Sequence, residues 1–281
     1  MKNIFTQIII AIIILSIAGF LILVPYFENT SIQEKISILK RNSKAKNISE
    51  SFKSNEFNLL PFNVKNYLYR SIQNRTFSPK TSKLVLSGKT RTTQNSEWTD
   101  VNSTIYFSTS SPTFIEIAET ITDYFVWDQT KNIYQNGIAS TETKFLSSIP
   151  LSSFSGNKLS RSYLVLYLME AVFSPTILLP NNHVKWKPIN STSARATIWK
   201  DNLDGAATFY FNSNNDVIKI VSGDRFMPGK VDYTKEIFTI HFANYKDVGN
   251  YYIPTYFELQ WNLAGNDFTF GRFQIKDISY E

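Results

Sequence analysis

The sequence predicts an α+β protein: a strongly curved, half-barrel-like antiparallel β-sheet with a long buried helix across its concave face, preceded by an N-terminal transmembrane helix. Three observations predict it. Residues 8–27 form an almost unbroken apolar run. Many short segments of alternating or apolar character, separated by Gly, Pro, Asn and Ser, follow as antiparallel hairpins require. One helical stretch, residues 158–173, interrupts them and is apolar around nearly its whole circumference, which calls for burial on more than one side. Aromatic residues make up 15% of the chain, with 22 Phe and 15 Tyr, a composition that favours strands.

Taken in order, residues 8–27 read IIIAIIILSIAGFLILVPYF. About 20 residues at about 1.5 Å each match a hydrocarbon core of roughly 30 Å. Pro25, Tyr26 and Phe27 fall where an interfacial belt would lie. The run is long and no A-x-A-like site follows it, so a signal-anchor is preferred over a cleaved signal peptide. The flanking charges are ambiguous: Lys2 precedes the run, whereas Lys35, Lys40, Arg41, Lys44 and Lys46 follow it, mixed with Glu28 and Glu34. A short tail before an apolar run is how exported domains begin, so a single-pass protein with an extracytoplasmic domain is expected. Ile32, Ile36 and Leu39 have helical spacing. They mark residues 31–56 as an amphipathic stalk or a solvated linker, with 47–56 loose. The expected division is an anchor at 1–30, the stalk at 31–56 and one soluble domain at 57–281.

Pro61 suits the first turn of a short helix presenting Val64, Tyr67, Leu68 and Ile72 on one face. Strands are predicted at 82–89, 102–110, 112–119 and 122–129. The central helix follows at 158–173, with Ser160 as N-cap and Pro175 as stop. Further strands are predicted at 194–200, 206–212, 216–223, 236–245, 255–263 and 267–280, with turns at Asn214–Asn215 and Gly265–Asn266.

The net charge of +6 is dispersed apart from the cluster after the apolar run, and no basic stripe with interleaved aromatics occurs. Nucleic acid is not expected as a partner; membrane proximity and solubility account for the charge. Cysteine is absent, which excludes disulfides, thiolate nucleophiles and zinc ribbons. His183 and His241 lack metal-ligand spacing, and no P-loop, G-x-G-x-x-G or G-x-S-x-G sequence is present. No metal, cofactor or catalytic residue is assigned.

Residues 161–198 contain a block whose Arg161, Tyr163, Leu164, Glu170, Ala171, Pro175, Thr176, Leu178, Leu179, Pro180, Trp186, Ala194, Ala196 and Thr197 resemble the signature of a bacterial family known as a domain of unknown function. Residues 60–72 and 112–118, Arg225, the 249–254 turn and the 258–261 strand are similar to the family as well. The resemblance implies secreted or membrane-linked proteins and no particular activity. By fold analogy alone, the half-barrel is similar to lipoprotein carriers.

Glu170 is the residue of greatest interest, because a carboxyl on a buried helix is either paired or held neutral. It shares a face with Tyr163 and Tyr167, and Arg195 and Arg225 are possible partners. Arg161 lies about half a turn away and should not pair with it. With Trp186 and Glu258, these residues form the candidate ligand-binding set: Tyr163, Tyr167, Glu170, Trp186, Arg195, Arg225 and Glu258. The plainer alternative is a structural acid hydrogen-bonded within the core. Three functions stay open. The first is a membrane-anchored binding module for a lipid or other apolar ligand. The second is an envelope structural or interaction protein, and the third a hydrolase using Glu170 and Glu258.

Overall fold

The computed structural model describes residues 2–72, 75–123, 126–229 and 232–281. Thirteen strands form one antiparallel sheet in the order β6-β5-β4-β3-β2-β1-β13-β12-β11-β10-β9-β8-β7. One meander runs through β1 (Thr81–Thr90), β2 (Thr99–Ser108), β3 (Phe114–Asp123), β4 (Val126–Gln135), β5 (Ile138–Phe145) and β6 (Ile149–Ser155). The second runs through β7 (Val184–Asn190), β8 (Ser193–Lys200), β9 (Leu203–Phe211), β10 (Val217–Pro228), β11 (Tyr233–Val248), β12 (Tyr251–Leu263) and β13 (Asn266–Tyr280). Pairing of β1 with β13 joins the two.

The two meanders leave β6 and β7 at opposite edges, so the chain between them must cross the open mouth of the sheet. That crossing is the central helix (Asn157–Glu170) and two 3₁₀ turns, Ala171–Phe173 and Pro175–Leu178. The helix touches β4, β5 and β6 on one side and β8 to β11 on the other, which a flat sheet of this width could not provide. The sheet is therefore curled into a half-barrel around it. Leu164, Val165, Leu168 and Met169 are fully buried.

The helix begins at Asn157, three residues before the predicted cap. Ser160 instead turns its hydroxyl to the backbone N–H of Ala139 on β5 at 2.9 Å. It is a tertiary latch, not an N-cap. The α-helix also ends at Glu170, and 171–178 tighten into 3₁₀ geometry around Pro175. Close approach to the sheet is bought with small residues: Ala194, Ala196 and Ala207 are buried on neighbouring strands, and a Cβ at Gly205 would lie 2.3 Å from Cγ2 of Val165.

Earlier in the chain, α1 runs unbroken from Lys2 to Asn42. Its apolar first part is long enough to cross a membrane. Residues 31–42 continue the same helix, and Ile32, Ile36 and Leu39 are buried with Ile115 on the outer face of the sheet. Glu28 bridges Lys131 at 2.6 Å and Lys144 at 2.7 Å. Residues 47–56, expected to be loose, hold α2 (Ile48–Lys53) and the start of α3 (Asn55–Asn58), with Ile48 and Phe57 fully buried. Next comes α4 (Phe62–Ile72), packed with Val64, Tyr67, Leu68 and Ile72 inward as its periodicity predicts. The central helix is α5.

Strands β5, β6 and β7 went unforeseen because their residues are too polar to alternate visibly. The segment 122–129, read as one strand, spans a hairpin: Asp123 pairs back with Val126. Tyr124 and Phe125 within it lie outside the described residues. Asn215 and Gly265 take positive φ in the turns expected of them.

Candidate functional site

Cross-strand register fixes which side chains share the concave face, because directly paired residues point the same way. One row reads Thr141, Asn132, Glu116, Ile105 and Leu84. The next reads Thr143, Thr130, Ala118, Ser103 and Leu86. A third reads Phe145, Asp128, Thr120, Val101, Gly88, Phe273 and Phe257. The β3–β5 side of this face is polar and the β1, β12 and β13 side apolar.

α5 crosses the first row. Tyr163 donates to Asn132 Oδ1 at 2.7 Å and touches the Thr141 hydroxyl, while Tyr167 donates to the carbonyl of Ser108 at 2.7 Å. Beyond it, Ala118, Thr120, Thr130 and Thr143 are only half-buried. Tyr163, Leu166 and Glu170, at spacings of three and four, keep 7, 8 and 7% exposure in a helix whose other interior positions are sealed. They are the interior positions of α5 that keep the most exposure, beside the half-covered inner face. Leu259, Leu263, Phe270 and Phe273 are half-buried against the core on the apolar side.

The electrostatics centre on two carboxyls and one guanidinium. Glu116 accepts from Ser103 Oγ at 2.8 Å and from Asn132 Nδ2 at 2.9 Å. Among the described residues no hydrogen bond reaches the Glu170 carboxyl. Burial raises its pKa well above the ordinary value, the charge of Glu116 adds to this, and Arg225 opposes it. The protonated form of Glu170, a hydrogen-bond donor, is thus favoured. Arg225 is 8% exposed and stacks on Phe238, with the guanidinium carbon 4.6 Å from the ring centroid. Its Nη1 donates to the carbonyl of Ser162 at 2.7 Å, and its Nε has no partner. Burial lowers its pKa to about 10. No carboxylate among the described residues forms a direct ion pair with it.

Tyr163, Glu170 and Arg225 therefore belong to one neighbourhood, and Tyr167 anchors the same helix. The other three candidates lie elsewhere. Trp186 donates to the Leu178 carbonyl at 3.0 Å and packs edge-on against Phe209, bracing the 3₁₀ turns. Arg195 is exposed on β8, between buried Ala194 and Ala196, so it points away from the concave face. Glu258 pairs across strands with Arg272, whose Nε lies 3.2 Å from its Oε1, and accepts from Tyr256 at 2.6 Å. Its neighbour Phe257 is buried, so Glu258 is on the outer face. Glu170 and Glu258 sit on opposite sides of the sheet and cannot serve one active site. Arg161 turns to Asp204 and Asp224 and not to Glu170, as its helical position predicts. Sequence reading missed Ser103, Glu116, Asn132 and Thr141. The signal was there for Glu116, which alternates with Phe114 and Ala118 in a strand whose inward face should be apolar.

The curled sheet and the helix across it define a β half-barrel protein, preceded by an apolar helix long enough to cross a membrane. The chain belongs to the family described as "Family of unknown function (DUF6544)", whose model matches residues 50–273. This agrees with the resemblance carried by residues 161–198. No curated protein matches the sequence. Among solved structures, the chain is similar to an outer membrane lipoprotein-sorting protein domain from Vibrio parahaemolyticus, with 12% identity, 72% of this chain and 85% of that one covered, and a TM-score of 0.39. It is similar to a LolA superfamily protein from Nitrosomonas europaea, with 10% identity, 78% and 92% covered, and a TM-score of 0.39. A DUF1329 family protein from Desulfovibrio piger is 7% identical over 72% of this chain and 86% of that one, with a TM-score of 0.36.

Proposed function

We propose that this chain is a membrane-anchored binding module. In this reading, the half-covered concave face beside α5 takes an amphipathic ligand with an acceptor-rich head, such as a lipid carboxylate or phosphate. One observation carries the reading: Arg225, nearly buried and without a carboxylate partner, leaves its Nε donor unpaired in the neighbourhood of Glu170, whose carboxyl burial shifts toward the protonated form. A head group accepting from Arg225 would relieve that buried donor. The half-buried Leu259, Leu263, Phe270 and Phe273 suit the ligand's apolar part. Residues 8–27 serve as the anchor, and the domain is placed outside the cytoplasm.

Native mass spectrometry of the full chain extracted from membranes tests this. A bound lipid mass is expected, and Arg225→Met, which keeps the apolar stem against Phe238, should lose it. In parallel, cis-parinaric acid should bind the full chain and bind Arg225→Met at least about tenfold more weakly, the order expected for one charge-assisted hydrogen bond. Protein that carries no amphiphile and fails to bind the probe overturns the proposal.

A further inference from the structure

The docking of α1 determines which end of the half-barrel meets the bilayer. α1 climbs the outer face of the first meander in a fixed order. Pro25, Tyr26 and Asn29 share a recess of about 410 Å³ with Glu119, Gln129 and Ser147 at the lower ends of β3, β4 and β5. Glu28 sits between Lys131 and Lys144. Ile32, Ile36 and Leu39 cover Ile115 above them. Higher still, Ser43 donates to Ser108 Oγ at 2.8 Å, and Lys44 N donates to Ser110 Oγ at 3.1 Å. Below Pro25, large apolar side chains among the described residues stand exposed, from 41% at Ile9 to 70% at Leu15. The bilayer therefore lies past the 119–129–147 end.

That end is also where the concave face is uncovered, at Ala118, Thr120, Thr130 and Thr143. The other end is closed by α2 to α4, with Ile48, Phe57, Tyr67 and Leu68 buried. A specific apolar rim marks the open end. The turn after β5 holds Leu146 and Ser147 in the left-handed region, at φ 51° and 56°, which non-glycine residues adopt only when held. Trp127 holds them: its Nε1 donates to Ser147 Oγ at 3.0 Å, and its carbonyl accepts from Leu146 N at 2.9 Å. Ile149 and Leu151 follow, 44% and 57% exposed, and Ile149 pairs across strands with inward-facing Phe145.

We infer that the open end of the half-barrel is seated on the bilayer that holds α1, with Trp127, Ile149 and Leu151 as a second, interfacial contact. The inference rests on residues 8–27 being the anchor, and it deepens the binding reading: an amphipathic ligand passes between the bilayer and the concave face without crossing water. The partner is a zwitterionic phospholipid surface. Lys131 and Lys144 at this end are paired with Glu28 and Glu142, and Glu119 and Asp128 border the mouth, so these groups do not select anionic lipid.

The chain has no cysteine, so one introduced thiol reports alone. The full chain in phosphatidylcholine nanodiscs, labelled with a polarity-sensitive fluorophore at Leu151→Cys, Leu59→Cys or Ile10→Cys, tests the seating. Leu59 is 84% exposed on the closed end. The Ile10 and Leu151 labels should be quenched by doxyl-labelled lipid and protected from iodide, and the Leu59 label should show the reverse. A Leu151 label as open to iodide as Leu59, with Ile10 still quenched from the lipid, overturns the seating and leaves the anchor. An Ile10 label open to iodide overturns both. The label reports depth alone, so a concave face found without ligand counts against the ligand and not against the seating.

Discussion

At the scale of the residue, Glu170 makes the strongest statement. Burial raises the pKa of its carboxyl in the fold above the ordinary value of 4.5 at which the unfolded chain gives up the proton. Stability is therefore fully present below that pH and falls as pH rises toward the elevated folded value. Glu170→Gln should remove that fall, so that melting temperature against pH flattens above about 4.5 while wild type declines. Equal slopes for the two proteins would show the carboxyl to be ionised in the fold. The interest of Glu170 was legible in the sequence, since a lone acid in an apolar helix has few comfortable states. Its environment was not, because Glu116 lies 54 positions away and arrives only through the pairing of β3 with β2 and β4. The placing of Arg225 near Glu170 was one of two options in sequence. Only strand alternation separates inward Arg225 from outward Arg195.

Elements show how much of the fold depends on close approach. α5 meets β9 where Gly205 leaves no side chain between Val165 and the strand. Gly205→Ala should cost about 1–3 kcal/mol by overpacking, read from urea denaturation. Val165→Ala in the same chain should recover part of it; no recovery would mean the loss arises elsewhere than at this contact. α1 depends instead on charge. Glu28→Gln removes a carboxylate shared by two lysines that are about nine-tenths buried at their side chains, leaving Lys144 with Glu142 and Lys131 without its partner. Faster hydrogen exchange in β4 and β5 is expected, with a loss of about 1–3 kcal/mol for the stranded Lys131 ammonium; unchanged exchange would show that α1 docks through Ile32, Ile36 and Leu39 alone. Periodicity revealed α4, α5 and most strands, because each buries one regular face. It hid β5 to β7, whose faces are Thr, Ser and Lys, and it could not show that α1 continues past the apolar run, since docking is tertiary.

On the scale of the whole molecule, curvature was predictable and strand order was not. A helix apolar all round demands walls on several sides, and a single sheet supplies them only by bending. Nothing local announces that β1 neighbours β13, because that pairing depends on both meanders existing first. It joins residues about 190 positions apart, a separation that slows folding through loop-closure entropy. During synthesis, then, the nascent chain can assemble its first hairpins well before their central seam has a mate. Until β13 is made, β1 is a bare strand edge, Leu84 and Leu86 lack their cover, and the unfinished product invites the wrong partner.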